Sequence, residues 1–138
     1  MSYRSNYEPS KDSISDVFDS AAYQVTCQKK VMVDGQELGH KYFQDSWDIA
    51  FSFCIDSYLL FKNRGGPSAT PLLLKNFNLD PSIRTHLKHL LCIGVIPGPR
   101  LPKDLGSFLA PFEEECISLA YGVRTYDARS DMLFDLHA

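Results

Sequence analysis

One carboxylate follows a strongly apolar run. Apolar side chains occupy nearly every position from Ile49 to Ile55, and only Ser52 interrupts them before Asp56. Such a run is typical of a strand covered on both faces in the middle of a sheet. Because an unpaired carboxylate is costly to bury, Asp56 must face solvent, a partner or a metal ion. The residues alone leave open a metal ligand or a solvent-facing turn aspartate.

The other titratable side chains carry weaker signals. His86 and His89 lie three residues apart, but no carboxylate or thiol accompanies them, so a basic surface turn is favoured over a metal site. Asp127 and Asp131 flank a predicted hairpin turn, where aspartate is favoured by hydrogen bonds to its own backbone. These two and Asp135 are therefore weak candidates for completing a carboxylate site with Asp56.

Composition bounds the class of protein. The chain has 138 residues, 44% of them hydrophobic and 12% aromatic, and a net charge of -3. One folded domain is expected, disorder is excluded, and no apolar run approaches the ~20 residues of a membrane span. The acidic balance predicts poor autonomous binding to nucleic acid. The widely spaced cysteines predict an intracellular protein with reduced thiols, three of them buried (Cys54, Cys92 and Cys116).

The residue patterns predict a mixed α/β domain in which a sheet is followed by a helix. We expect a flexible N-terminus over 1–12, a helix and hairpin over 13–45 that lead into the core, and the main domain over 46–138. The predicted elements are a helix from a Ser15 cap to about Lys29, a hairpin turning at Asp34-Gly35, strands over 49–55, 71–77 and 90–96, a helix that becomes regular near Ala110 and stops at Gly122, and a hairpin around 127–131.

Several motifs along the chain resemble those of the CACTA (En/Spm-like) superfamily of transposases, in the form found in fungi. The resemblance extends from about Tyr3 over nearly the whole chain. Its most specific part is Gly94–Pro111, where prolines and glycines occur close to a lysine and an aspartate. The matching segments are Val33-Asp34-Gly35, 40–45, 48–50 with Asp56, 68–81, Gly94–Pro111, and 122–128.

This resemblance implies part of an RNase H-like catalytic core that cleaves and transfers DNA strands with two Mg²⁺ or Mn²⁺ ions. Asp56 would be the first of three carboxylates, both a catalytic residue and a metal ligand. The second and third would lie beyond residue 138, as would the fourth core strand. The sequence departs from the family at Ser57, where glycine is usual, and at Thr70, where tryptophan is usual.

We therefore expect a transposase fragment, with a partial three-stranded core sheet, that is inactive by itself. The complete enzyme would act on transposon-end DNA in the nucleus, whereas this chain would bind DNA weakly or not at all. The edge over 47–56 would lack its neighbouring strand and would promote self-association. The alternative is a non-enzymatic relic or domesticated interaction domain that binds a protein partner through that edge.

Overall fold

The computed structural model describes residues 2–10, 12–59, 68–98 and 102–138. It confirms the mixed α/β class. The helices are α1 (Tyr3–Asn6), α2 (Ala21–Thr26) and α3 (Gly106–Tyr121), with 3₁₀ turns at Val17–Asp19 and Leu87–His89. The strands are β1 (Lys30–Val33), β2 (Gln36–Lys41), β3 (Phe51–Ile55), β4 (Tyr58–Leu59), β5 (Ser68–Asn76), β6 (Leu90–Pro97), β7 (Val123–Asp127) and β8 (Met132–Leu136).

The main sheet is an antiparallel meander of β3, β5 and β6, with β5 in the centre. The two-residue strand β4 continues along the β3 side of β5. The central position that the apolar run of 49–55 predicted is wrong, because β3 pairs only with β5 among the described residues. The free side of β3 agrees with the unpaired edge that the resemblance led us to expect over 47–56. An apolar run indicates that both faces of a strand are covered. Whether the strand is central in the sheet depends instead on partner strands that are distant in sequence.

Helix α3 covers one face of this sheet incompletely. The ring of Phe112 stacks on Phe53, with centroids 5.3 Å apart, and also approaches Phe51 at 6.1 Å. An apolar groove of about 630 Å³ remains between α3 and the sheet, and none of the α3 side chains is fully buried. We call this region the sheet–helix groove. Its lining includes Ile49, Leu72, Leu74, Leu91, Ile93, Phe108, Phe112 and Leu119.

Two thiols expected in the core lie instead on the other face of the sheet. Cys54 and Cys92 are exposed, and both are in register with Leu73 of the central strand. Cys116 of α3 is half-buried, and burial raises the pKa of its thiol. The apolar contexts of these cysteines predicted burial on both faces, but among the described residues α3 covers only one face.

Both helix ends of α3 follow from local chemistry. The helix begins at Gly106 and contains Pro111, so the prediction of a regular start near Ala110 is wrong. Pro111 is the sixth residue of the helix, beyond the first turn, so its missing amide hydrogen removes one intrahelical hydrogen bond, to the carbonyl of Ser107. The helix ends where predicted, because Gly122 adopts a φ of 97° that disfavours other residues.

The hairpin of β1 and β2 turns where the sequence predicts. Asp34 and Gly35 have φ values of 48° and 78°, as a type I′ turn requires. The second hairpin joins β7 to β8, and its cross-strand pairs include Thr125 with Phe134. Phe134 contacts Trp47, whose ring centroid lies 5.0 Å away, so this hairpin packs beside the segment that precedes β3.

The prediction of one helix from Ser15 to Lys29 is wrong. Asp16 and Asp19 form a capping box around the 3₁₀ turn, and the Ser20 hydroxyl accepts a hydrogen bond from the Tyr23 amide at the start of α2. These short polar side chains form hydrogen bonds with backbone amides that a continuous helix would otherwise use. The segment is therefore divided into a 3₁₀ turn and the short helix α2. Ile14, which directly precedes the predicted cap, is 81% exposed.

The N-terminal residues pack against the rest of the chain, although their polar composition predicts flexibility. Arg4 in α1 is buried and reaches the segment before β3. Around it the structure gathers what we call the aromatic–arginine cluster. Its members are Tyr3, Arg4, Tyr7, Phe18, Tyr23, Phe43, Phe77 and Arg84.

Candidate functional site

Asp56 lies at a break in the sheet edge. It directly follows β3 and is exposed, and the register of β3 continues into β4 unchanged, which places Asp56 opposite Pro71 of β5. Because proline has no amide hydrogen, the ladder cannot be completed there. Next to the break, the hydroxyl oxygens of Ser57 and Thr70 lie 2.6 Å apart. Strand β5 thus contributes both the break that exposes Asp56 and the hydroxyl that anchors its neighbour.

The structure does not bring the other predicted acids to Asp56. Asp127 accepts a hydrogen bond from Ser130, which lowers the pKa of the Asp127 carboxyl, and Asp131 accepts one from Tyr126 at 2.6 Å. Asp135 pairs with Arg124 across the β7–β8 hairpin at 3.2 Å. Within the described parts of the chain, Asp56 belongs to no group of three metal-ligating side chains.

The histidines singled out in the sequence stay together on the surface. The rings of His86 and His89 stack with centroids 6.4 Å apart, beside the 3₁₀ turn before β6. Neither belongs to a group of three potential metal ligands among the described residues. Of the motif Gly94–Pro111, residues 99–101 lie outside the described residues, and the remainder forms the end of β6 and the start of α3.

A second group of potential metal ligands lies at the opposite end of β3 from Asp56. It was not identified from the sequence. One ligand atom each from Asp45, Asp48 and His137 lies within 4.8 Å of the others. Asp48 is 1% exposed, and its Oδ1 atom lies 3.3 Å from Nδ1 of His137. The spacing of the two aspartates is visible in the sequence, but His137 comes from the end of β8, 89 residues away.

Backbone contacts of a buried arginine hold this acidic segment in place. Arg4 donates hydrogen bonds through Nε to the Asp48 carbonyl at 3.0 Å, through one amino group to the Phe43 carbonyl at 3.2 Å, and through the other to the Asp45 carbonyl. The guanidinium thus binds three main-chain oxygens. The buried amide of Asn78 donates to the same Asp48 carbonyl at 2.8 Å and accepts from the Ala50 amide at 2.9 Å.

The aromatic–arginine cluster also contains an ion pair with little solvent access. Arg84 donates to Asp16 at 2.7 Å, and the side chains are 11% and 1% exposed. Asp16 also accepts a hydrogen bond from Tyr3, and burial together with this bond raises the pKa of Tyr3 to about 12. The Tyr3 hydroxyl therefore remains a neutral donor at physiological pH.

The molecule exposes more surface than its mass predicts. Its accessible surface is 9764 Å², whereas a folded monomer of this size exposes about 7,200 Å². Many exposed side chains are large and apolar. They include Trp47, Tyr58, Leu91, Val95, Phe108, Ile117, Tyr126, Met132 and Leu133. Contiguous exposed apolar patches often mark surfaces that contact another molecule.

The chain matches no protein-family model, no curated protein and no solved structure. Across the described residues, none of the helices combines the length and apolar character needed to cross a membrane.

Proposed function

We propose that this chain is the front part of the catalytic domain of a DDE/D-type DNA transposase of the CACTA type. The complete protein would cleave and transfer DNA strands in the nucleus, and the chain alone would be inactive. The observation that carries the proposal is the position of Asp56. It follows the first strand of an antiparallel three-stranded meander, and a long helix follows the third strand. This order is the one expected for the front of an RNase H-like core.

The chemistry explains why one such residue is insufficient. Two Mg²⁺ or Mn²⁺ ions about 3.5–4 Å apart need several carboxylates, one of which bridges them. Asp56 is exposed and could ligate such an ion, but among the described residues it belongs to no group of three potential ligands. The free side of β3 is where a further strand carrying a second carboxylate would pair. Activity would therefore require residues in addition to those that the structure describes.

A nicking assay with a matched variant tests this proposal. The transcript is sequenced past codon 138, and the 138-residue chain and any longer product are incubated with supercoiled DNA and Mn²⁺. We expect no nicking by the chain, nicking by the longer product, and its loss in Asp56→Asn. Asp135→Asn serves as the control, because Asp135 is exposed and paired with Arg124. Equal activity of the Asp56→Asn and unmodified longer products would overturn the assignment.

The open side of β3 supports a second candidate function, a non-enzymatic interaction domain. Strand β3 has one partner among the described residues, and the accessible surface exceeds the expected value by roughly 2,500 Å². A stable interface buries about 1,200–2,000 Å² in total, so the excess is sufficient for self-association or for one partner. Strand addition to β3 would use the unpaired backbone groups of this edge.

The two exposed cysteines provide a matched pair of variants for this candidate. Cys54 lies on β3 and Cys92 on β6, both exposed and both in register with Leu73. Lysine on an edge strand opposes pairing with another strand. We expect the chain to form dimers or larger species in sedimentation velocity, Cys54→Lys to prevent this, and Cys92→Lys to leave it unchanged. A chain that stays monomeric at high concentration would contradict self-association.

A further inference from the structure

We propose that Asp45, Asp48 and His137 form a binding site for a zinc-class divalent metal ion, separate from Asp56. The three residues come from the segment before β3 and from the end of β8. The ion would join these two parts of the chain. Its role would be structural, and the proposal is independent of the transposase assignment.

The spacing between the ligand atoms of Asp48 and His137 fits a metal site. Oδ1 of Asp48 and Nδ1 of His137 lie 3.3 Å apart, which is longer than the roughly 2.7–2.9 Å of a charge-assisted hydrogen bond. Two ligands that each lie about 2.0–2.1 Å from a tetrahedral zinc ion are separated by about 3.4 Å. The observed separation therefore fits two ligands of one ion better than a direct ion pair. Asp45 can supply the third ligand, since its carboxylate lies within 4.8 Å of both.

No arginine or lysine among the described residues pairs with the carboxylate of Asp45 or Asp48. Arg4 is buried beside this segment, but its hydrogen bonds go to the carbonyl oxygens of Phe43, Asp45 and Asp48 and to neither carboxylate. Among the described residues, Asp48 accepts one amide hydrogen bond, from Asp45 at 2.8 Å, and its other contact is with His137. A carboxylate that is 1% exposed is costly unless it is paired or bound to a metal. A divalent ion would supply that charge.

A buried nitrogen atom lies next to these three ligands. Nε2 of His40 is fully buried and has no hydrogen-bond partner among the described residues. The His40 ring lies 4.3 Å from that of His137, centroid to centroid. Together with Asp48, both rings line a small cavity of about 10 Å³, close to the volume that holds one water or ion. His40 is not one of the three ligands, but a metal-bound water in this cavity would give its Nε2 atom the partner that it lacks.

The orientation of His137 is fixed by its neighbours. Its backbone carbonyl accepts a hydrogen bond from the Ile49 amide at 2.8 Å, and its Nε2 atom packs against Gly122. A Cβ atom on Gly122 would lie 2.8 Å from this nitrogen. The ring is therefore held with Nδ1 toward the aspartates. An imidazole with two carboxylates favours zinc-class ions over Mg²⁺, which prefers oxygen ligands.

The test uses the metal-free 138-residue chain and titration with Zn²⁺, Co²⁺ and Mg²⁺. We expect one Zn²⁺ per chain, the visible absorption of tetrahedral Co²⁺, and a melting temperature about 5–10 °C higher at a hundredfold excess over Kd. Mg²⁺ at the same concentration would leave the melting temperature unchanged. His137→Ala and Asp45→Asn would each weaken Zn²⁺ binding at least about tenfold.

Two control variants separate this site from other binding. His86→Ala/His89→Ala removes the histidine pair before β6, and Glu114→Gln removes an exposed carboxylate of α3. Both variants should bind Zn²⁺ as the unmodified chain does. Circular dichroism verifies that each variant is folded. Asp45→Asn should disturb the fold less than His137→Ala, because Asp45 is exposed. No Zn²⁺ binding by the unmodified chain would overturn the site in favour of a simple Asp48–His137 ion pair. Binding that disappears only in the His86/His89 variant would overturn it as well.

Discussion

The aromatic–arginine cluster and the sheet–helix groove are both rich in aromatic rings, but only the cluster is closed. In the cluster, Phe18 is 2% exposed and contacts the rings of Tyr23 and Phe77. In the groove, Phe112 stacks on Phe53 beside an open apolar space, and no α3 residue is fully buried. Apolar content therefore does not determine whether a region is completely packed.

The two regions differ in how they are held together. In the cluster, buried polar side chains bind groups from distant segments, as Arg84 binds Asp16 and Asn78 binds the carbonyl of Asp48. The groove relies on apolar contact with a single helix, which cannot cover the sheet alone. We therefore expect the cluster to contribute more to the free energy of unfolding than the groove, which remains open.

Removing the buried carboxylate of the cluster should have the largest effect. Asp16→Ala would leave the Arg84 guanidinium buried without a counterion and lower the free energy of unfolding by about 4 kcal/mol. Urea denaturation measures the loss. Asp135→Ala is the control, because it breaks an exposed pair with Arg124 and should change stability by less than about 1 kcal/mol. Similar losses of unfolding free energy in both variants would show that the buried ion pair contributes no more to stability than the exposed one.

One substitution made in both regions tests the comparison directly. Phe18→Ala should cost about 3–5 kcal/mol, because the surrounding rings cannot collapse fully into the space left behind. Phe112→Ala should cost only about 1–2 kcal/mol, since its ring is half-buried next to a groove that is already open. Equal costs would show that the groove is as well packed as the cluster.

The amide side chain of Asn78 shares with Arg4 the task of holding the segment before β3. Asn78→Ala would leave the Ala50 amide and one bond of the Asp48 carbonyl unsatisfied, at a cost of about 2–3 kcal/mol. Asn78→Asp keeps the acceptor for Ala50 but replaces the donor to Asp48 with an oxygen, so it should be no less destabilising. Faster hydrogen exchange of the Ala50 amide in both variants would show that the effect is local.

Acid should weaken the cluster before the groove. Asp19 accepts hydrogen bonds from the Tyr7 hydroxyl at 2.6 Å and from the Ser15 amide at 2.7 Å, and these bonds hold the pKa of its carboxyl well below the ordinary value. A lowered folded-state pKa stabilises the fold above the unfolded pKa of about 3.9, and that contribution is lost as the pH falls toward the folded-state value. Asp19→Asn should show a shallower loss of stability between about pH 5 and pH 2. Parallel curves for variant and parent would contradict this role.

The sequence predicted local features better than long-range ones. The turn at Asp34-Gly35 and the helix stop at Gly122 were predicted correctly, because each depends on backbone preferences of the residues themselves. The single helix from Ser15 was wrong, since polar caps overrode the apolar spacing. The edge position of β3 and the approach of His137 to Asp48 depend on partners far along the chain, which no local pattern encodes.

The contacts of Arg4 and Arg84 also have a consequence for the order of folding. Arg4 binds a carbonyl 44 residues away, and Arg84 binds a carboxylate 68 residues away. Contacts between such distant residues form later than local hairpins, because the intervening chain must first be ordered. During synthesis, the N-terminal segment must therefore wait until residue 84 has left the ribosome. The aromatic–arginine cluster is thus expected to form after the hairpin of β1 and β2.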